Sequence, residues 1–324
     1  MLRPDSTAPI ARLATTRLKQ SSKPIRLYYN QRVYRQKGMY SGKSIETCQM
    51  GVELIGANTL QADMEMLQLA MEVLENCALS EYRIELGHGG LCEILIGRLQ
   101  VGVEIKAQIK QFIQAKNYPA LHDALDQLGQ GNEIMAIKAL PGLFGGEEVF
   151  AQAEKVFRDN ETLGIINYMH ALYTIFHQLE PKAKTIIDLG FAHDNDYYTG
   201  IIFQAYIQGL GEAVLLGGRY DRLLERFGES LPAIGFGANI DLLAKNRMNQ
   251  GDQVDLLAPQ VLVWGEPGFL TQSMLYAKAL RRDSSIVVEN ALFDSFDGCK
   301  AYAAARGISQ IHVVGESVKQ YVIP

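Results

Sequence analysis

The chain reads as an α+β fold in two parts, a large mixed domain followed by a small alternating α/β domain. Three observations predict this. Strand-like segments occupy much of the first 90 residues and return after residue 185, and the residues between them carry helical periodicity. Beyond residue 260, strand and helix patterns alternate strictly.

PIRLYYNQRVYRQ (24–36) opens the strand-rich part with aromatic and β-branched residues. After the glycine-bearing loop 37–42, SIETCQMGVELIG (44–56) alternates in steps of two. Cys48, Met50, Val52 and Leu54 share one face, expected in the core, while Thr47, Gln49, Gly51 and Glu53 share the other. LQADMEMLQLAMEVLENC (60–77) is an amphipathic helix, and YRIELGH (82–88) is a further strand. From about 91 to 180 helical patterns follow one another, punctuated by ALPGLFGG (139–146), and predict a helical insertion between two halves of one sheet.

TIIDLG (185–190), TGIIFQAY (199–206) and EAVLLGG (212–218) restore strand character. GGRYDRLLERFG is a glycine turn opening a short helix, and PAIGFGANIDLLAK (232–245) is a strand running into a helix. The polar stretch MNQGDQVDLLAP (248–259) marks a linker, which places the domains at 1–247 and 248–324. The second domain alternates QVLVWG, FLTQSMLYAKALRR, SIVVEN, SFDGCKAYAAARG and IHVVGE, so its sheet is expected to be parallel.

Composition narrows the function. At 324 residues and 48% hydrophobic, the chain is long enough for two cores. A net charge of −5 and a pI near 5.8 argue against a general nucleic-acid surface, which needs clustered cations. Cys48, Cys77, Cys92 and Cys299 show neither CxxC nor Cys/His spacing, so they read as reduced, mostly buried thiols and predict no disulfide frame or zinc site. No apolar run approaches a membrane span, and MLRPDSTAP lacks a signal peptide's apolar core, so the expected location is the cytoplasm. No metal or cofactor is expected.

Four stretches together carry a family resemblance: LRPDSTAPIARL, CQMGVELIG, DNDYYTGIIF, and GGRYDRLLERFG followed by PAIGFGANIDLL. In order and approximate spacing they resemble histidyl-tRNA synthetase over nearly the whole chain. The resemblance implies the class II aminoacyl-tRNA synthetase-like fold, an antiparallel sheet flanked by helices, with the C-terminal domain similar to an anticodon-binding domain. It also puts the chain's start at the first amino-acid-binding motif, where the family has a preceding strand and helix forming its dimer interface. An exposed sheet edge, or an interface provided otherwise, is therefore expected.

The departures from the family pattern bear on chemistry. In the family's second motif an arginine is followed two residues later by glutamate. Here Tyr34-Arg35-Gln36-Lys37 keeps Arg35, a candidate anion contact, and puts Lys37 at the acid. The arginine that closes the third motif falls on Leu242. The histidine-recognition loop Arg-Gly-Leu-Asp-Tyr-Tyr reads His193-Asp194-Asn195-Asp196-Tyr197-Tyr198, so the catalytic arginine falls on His193. Adenylate formation depends on fixed guanidinium groups at the α-phosphate. Losing one such donor costs on the order of 2.7–4 kcal/mol in the transition state, so two losses predict no useful aminoacylation and no catalytic residues.

The amino-acid half of the site matches better. The resemblance assigns histidine binding to Asp5, Thr7, Gln49, Glu53, Tyr197 and Tyr198. An ammonium needs carboxylate and hydroxyl acceptors, and an imidazole N–H needs carboxylate or phenol oxygens. Gln49 and Glu53 share a strand face, with Gly51 between them expected to leave backbone open to a ligand.

This profile, a kept pocket without the phosphate-handling arginines, resembles the regulatory subunits of ATP phosphoribosyltransferase, which act at the first step of histidine biosynthesis. That resemblance implies a non-catalytic chain in a hetero-oligomer with the short-form catalytic subunit, a homodimer within the complex, histidine as regulatory ligand, and feedback regulation. It also implies no productive tRNA binding. The C-terminal domain agrees, with six basic against eight acidic residues from Gly251 to Pro324, a net charge of −2. Two alternatives stand beside it: a divergent, working histidyl-tRNA synthetase, and a synthetase-like histidine-binding module serving another partner. At residue level, Tyr197 and Tyr198 as core plugs, His193 as a polar loop residue and Arg32 as a surface ion-pair partner are the competing readings.

Overall fold

The computed structural model describes residues 2–35, 44–77, 79, 81–192, 197–250, 259–283 and 285–323. Lys37, His193 and the rest of 193–196 lie outside them, as do 251–258 of the expected linker. The chain divides into two compact units, Met1–Gln250 and Gly251–Pro324.

The first unit is built on an eight-stranded sheet ordered β1-β2-β8-β7-β6-β3-β5-β4. Its members are β1 (Ile25–Tyr34), β2 (Glu46–Ile55), β3 (Tyr82–His88), β4 (Phe144–Gly145), β5 (Lys184–Asp188), β6 (Ile201–Ile207), β7 (Ala213–Arg219) and β8 (Ala233–Asn239). Only β3 and β5 pair in parallel; every other neighbouring pair is antiparallel. One face is covered by α2 (Leu60–Asn76) and by α8 (Asn160–Leu179) with the rest of the insertion, α3 (Gly89–Arg98), α4 (Val103–Gln114), α5 (Tyr118–Gln127), α6 (Asn132–Ala139) and α7 (Glu148–Val156). Leu67, Met71 and Leu74 of α2 meet Ile84 and Leu86 of β3 and Ile166, Met169 and Phe176 of α8 in one continuous core. Their three- and four-residue spacing lays them along one helical stripe.

The opposite face carries a separate, smaller core. α1 (Thr7–Thr15) contributes Ile10, Ala11 and Ala14, and the 3-10 turn Leu224–Phe227 with the residue before it contributes Leu223 and Leu224. Tyr29, Ile55, Tyr220 and Ala233 complete the cluster. α1 was not expected from the pattern; Pro9 sits in its first turn, where a missing N–H removes no helical bond. α9 (Ile240–Asn249) follows β8, its first turn capped by Asn239 accepting from the Leu242 N–H at 3.1 Å.

Two expectations for β2 need correction. Of the face assigned to the core, Leu54 is fully buried, but Met50 is exposed and Cys48 and Val52 are half-buried, because core side chains pack over only one end of the strand. Nor is the backbone at Gly51 open: Tyr29, its direct partner on β1, lays its ring and hydroxyl over it, where any Cβ would clash. Arg32 pairs with Glu46 at the surface. Cys92 and Cys299 are buried and Cys48 and Cys77 half-buried, all four as free thiols.

The second unit has a four-stranded sheet ordered β10-β9-β11-β12, from β9 (Val261–Gly265), β10 (Val288–Asn290), β11 (Gln310–Val314) and β12 (Val318–Val322). The first three strands are parallel as expected; β12, which the pattern did not reveal, pairs antiparallel at the edge. α10 (Leu270–Leu280) and α11 (Phe296–Arg306) pack into two distinct apolar clusters.

One buried polar cluster ties α2, α8 and β7 together. Arg219, 5% exposed, donates from Nε to Asp63 at 2.9 Å and from its terminal nitrogens to Asp63, to Asp221 at 3.1 Å and to the Ala57 carbonyl at 3.1 Å. Tyr168 of α8 donates to the other oxygen of Asp63. Removing one member of a buried pair strands the other charge. Arg219→Met is therefore expected to lower unfolding stability by about 3–5 kcal/mol in urea titration. The double replacement Asp63→Leu with Arg219→Met is expected to recover much of that loss.

Candidate functional site

The residues singled out by the resemblance line one cavity of about 350 Å3 on the sheet face opposite the main core. Asp5 and Thr7 enter from the start of α1, Gln49 and Glu53 from β2, and Tyr197 and Tyr198 from the segment before β6. Arg35, just beyond β1, reaches the rim and donates from Nε to the Pro4 carbonyl at 3.2 Å.

Glu53 sits at the bottom, 2% exposed. One carboxylate oxygen accepts from Thr7 Oγ1 at 2.8 Å and the other from the Tyr220 hydroxyl. Burial pushes its carboxyl up to about 7 from an ordinary 4.5, Tyr220 and Thr7 pull it back down, and the nearby charge of Asp5 adds to the rise. A carboxyl raised in this way holds its proton in the folded protein where the unfolded chain has lost it. The contribution to stability is therefore present at low pH and lost as pH rises from about 4.5 through 7. Burial also raises Tyr197, to about 12, and raises Tyr29 and Tyr220, so all three phenols stay neutral hydrogen-bonding groups.

Glycines of the neighbouring strands let these side chains lie flat on the sheet. Glu53 lies over Gly235 and the Gln49 amide over Gly237, both on β8, with no room for a Cβ at either glycine. A Cβ at Gly218 would stand 2.7 Å from Cδ1 of Tyr198. Tyr198 in turn packs against Tyr197 with ring centroids 4.8 Å apart, and Tyr197 meets Tyr220 edge-on at 5.7 Å. The tyrosine pair thus serves both readings, packing on the small core while lining the cavity.

The Gln49 carbonyl oxygen is buried and accepts no hydrogen bond from the described residues. Such an atom carries a desolvation cost that a ligand N–H can remove. Among the described residues lining the cavity, Arg35 is the sole cation, against Asp5, Glu53 and Glu212. The lining therefore suits a positively charged or N–H-rich ligand and has little to offer a triphosphate. Leu242 sits on α9 with its side chain packed on the main core, outside the cavity lining.

Tyr29, Tyr220, Gly235, Gly237 and Asn239 also line the cavity and were not singled out. A signal existed for the glycines: GFGAN places them two apart on a strand, which clears one face for neighbouring side chains.

Comparison with known proteins places this site in a family. A family model described as histidyl-tRNA synthetase matches residues 1–243. The ATP phosphoribosyltransferase regulatory subunit of Clostridium kluyveri is 33% identical over 315 residues, covering 96% of this chain and 80% of that one. The protein of the same name from Caldanaerobacter subterraneus is 35% identical over 308 residues, covering 91% and 80%. A Bacillus halodurans crystal structure, titled ATP phosphoribosyltransferase regulatory subunit/histidyl-tRNA synthetase, superposes with a TM-score of 0.78 at 28% identity, over 93% of this chain and 77% of that one. The extent of these matches makes the chain a member of the ATP phosphoribosyltransferase regulatory subunits, a family built on the histidyl-tRNA synthetase fold.

Proposed function

We propose that the chain is a non-catalytic subunit that binds free histidine between α1, β2 and the Tyr197–Tyr198 segment. In this role it regulates a short-form ATP phosphoribosyltransferase catalytic subunit in a cytoplasmic hetero-oligomer. The observation that carries the reading is the acidic, N–H-seeking lining: among the described residues, Glu53, Asp5 and a Gln49 carbonyl without a partner are set against one rim arginine. The ligand's ammonium faces Asp5 and Thr7, its imidazole N–H meets a carboxylate or phenol oxygen, and Gln49 gains its missing partner. Leu242, where the synthetase pattern has a phosphate-binding arginine, supports binding without adenylate formation. Among the described residues no helix is long and apolar enough to cross a membrane.

Calorimetry is expected to show histidine binding, with histidinol, which keeps the ammonium and the imidazole, retaining most of it. Glu53→Gln is expected to weaken histidine by about tenfold or more, the scale of a lost hydrogen bond to a charged group. Absence of histidine binding by the wild type would remove the reading.

The ligand is bound by ionised Glu53, so histidine binding near pH 7 is expected to release protons and to weaken as pH falls below about 7. The ligand's own imidazole titrates equally against both proteins, so the difference between wild type and Glu53→Gln isolates this carboxyl. Titrations in two buffers of different ionisation enthalpy measure it, and equal proton release by both proteins would contradict the assignment.

With ATP, histidine and tRNA the chain is expected to charge nothing. Mixed with the short-form catalytic subunit it is expected to co-elute and to make phosphoribosyl transfer histidine-sensitive. Detectable aminoacylation would favour the synthetase instead.

A further inference from the structure

We propose that the outward face of α1 and the 3-10 turn Leu224–Phe227 is the surface by which pocket occupancy reaches the partner, and that it docks on an acidic patch of the catalytic subunit. The inference rests on the proposed function and adds to it a location and a charge. Its mechanical basis is the set of bonds to Glu53. One carboxylate oxygen is held by Thr7, the first residue of α1, and the other by Tyr220, four residues before the 3-10 turn. A ligand that takes up the lone pairs of Glu53 competes with both anchors at once.

The two anchored pieces form one movable layer. α1 and the 3-10 turn pack on each other through Ile10, Ala11, Ala14, Leu223 and Leu224, in a cluster separate from the main core. Lys19, just past α1, pairs with Glu229, just past the turn, at 2.6 Å. The layer also rests on Tyr29, Ile55 and Ala233 of the sheet, but Glu53 is the cavity-floor group that bonds both of its pieces, so a change of partner there is felt by α1 and the turn together.

Charge indicates what the layer faces. From Arg3 to Arg35 the chain carries eight basic residues and one acid, Asp5, within a protein of net charge −5. Lys19, Arg26 and Arg32 have acidic partners in Glu229, Glu65 and Glu46, and Lys23 caps the carbonyls of Leu18, Lys19 and Ser21. Arg12 and Arg17 are exposed and have no acidic partner among the described residues. Uncompensated guanidinium groups over a ligand-linked layer suit the carboxylates of a protein partner, where they set docking rate and register.

The test uses the full chain with two paired charge reversals, Arg12→Glu with Arg17→Glu on the layer, and Lys278→Glu with Arg282→Glu on the second unit as a control of equal net charge change. Association with the catalytic subunit is expected to weaken about tenfold or more for the first pair and by less than about twofold for the second, with histidine affinity unchanged in both. Hydrogen exchange of the wild type is expected to change on histidine addition in residues 7–15 and 220–229. Wild-type-like association of the Arg12/Arg17 variant, equal loss in the control, or no exchange change in the layer would overturn the inference while leaving histidine regulation standing. Loss of tRNA retention with intact subunit association would assign the patch to nucleic acid. A wild type that fails to associate would instead fail the parent reading.

Discussion

Burial of the Glu53 carboxyl organises the first unit's functional half. A carboxyl at 2% exposure is tolerable only with hydrogen-bond donors on its oxygens, and the chain supplies them from two directions. Thr7 is brought by α1 and Tyr220 by the turn after β7, so satisfying one buried group fixes the placement of two elements above the sheet. The small core beneath them then packs around the requirement that those donors arrive together. Burial raises the same carboxyl to about 7, and the nearby charge of Asp5 adds to the rise.

The glycine pattern makes that burial possible. Gly235 and Gly237 clear the β8 surface so that Glu53 and Gln49 lie along the sheet instead of standing off it. Gly51 serves a different purpose from the one its position suggests, giving its space to the Tyr29 ring. The cavity is thus shaped by absent side chains on a rigid antiparallel platform. Such a platform holds its geometry better than a loop-built site does.

Much of this was legible in the sequence because strand alternation and motif order are local signals. β3 follows its pattern residue for residue, and α2 ends one residue short of its expected bound. The six expected pocket residues, drawn from three separated segments, line one cavity. What escaped was non-local. Whether Met50 is buried depends on how far the core extends beneath β2, and Tyr29 closes over Gly51 only because β1 pairs with β2 in that register. β12 is exposed along its whole length, so it lacked the two-residue hydrophobic alternation that marks a half-buried strand. The buried Asp63–Arg219 pair joins residues 156 positions apart, a distance no spacing rule crosses.

The two-residue strand β4 has a role out of proportion to its length. It pairs Phe144 and Gly145 with Asp188 and Ile187 of β5, so at that end the far border of the eight-stranded sheet finishes on a stub drawn from the insertion. So short a terminal strand gives an incoming chain almost no ladder on which to extend. The insertion is thereby more than padding between two halves of a domain. Over Ile187 and Asp188 it works as an end-stop against intermolecular strand growth.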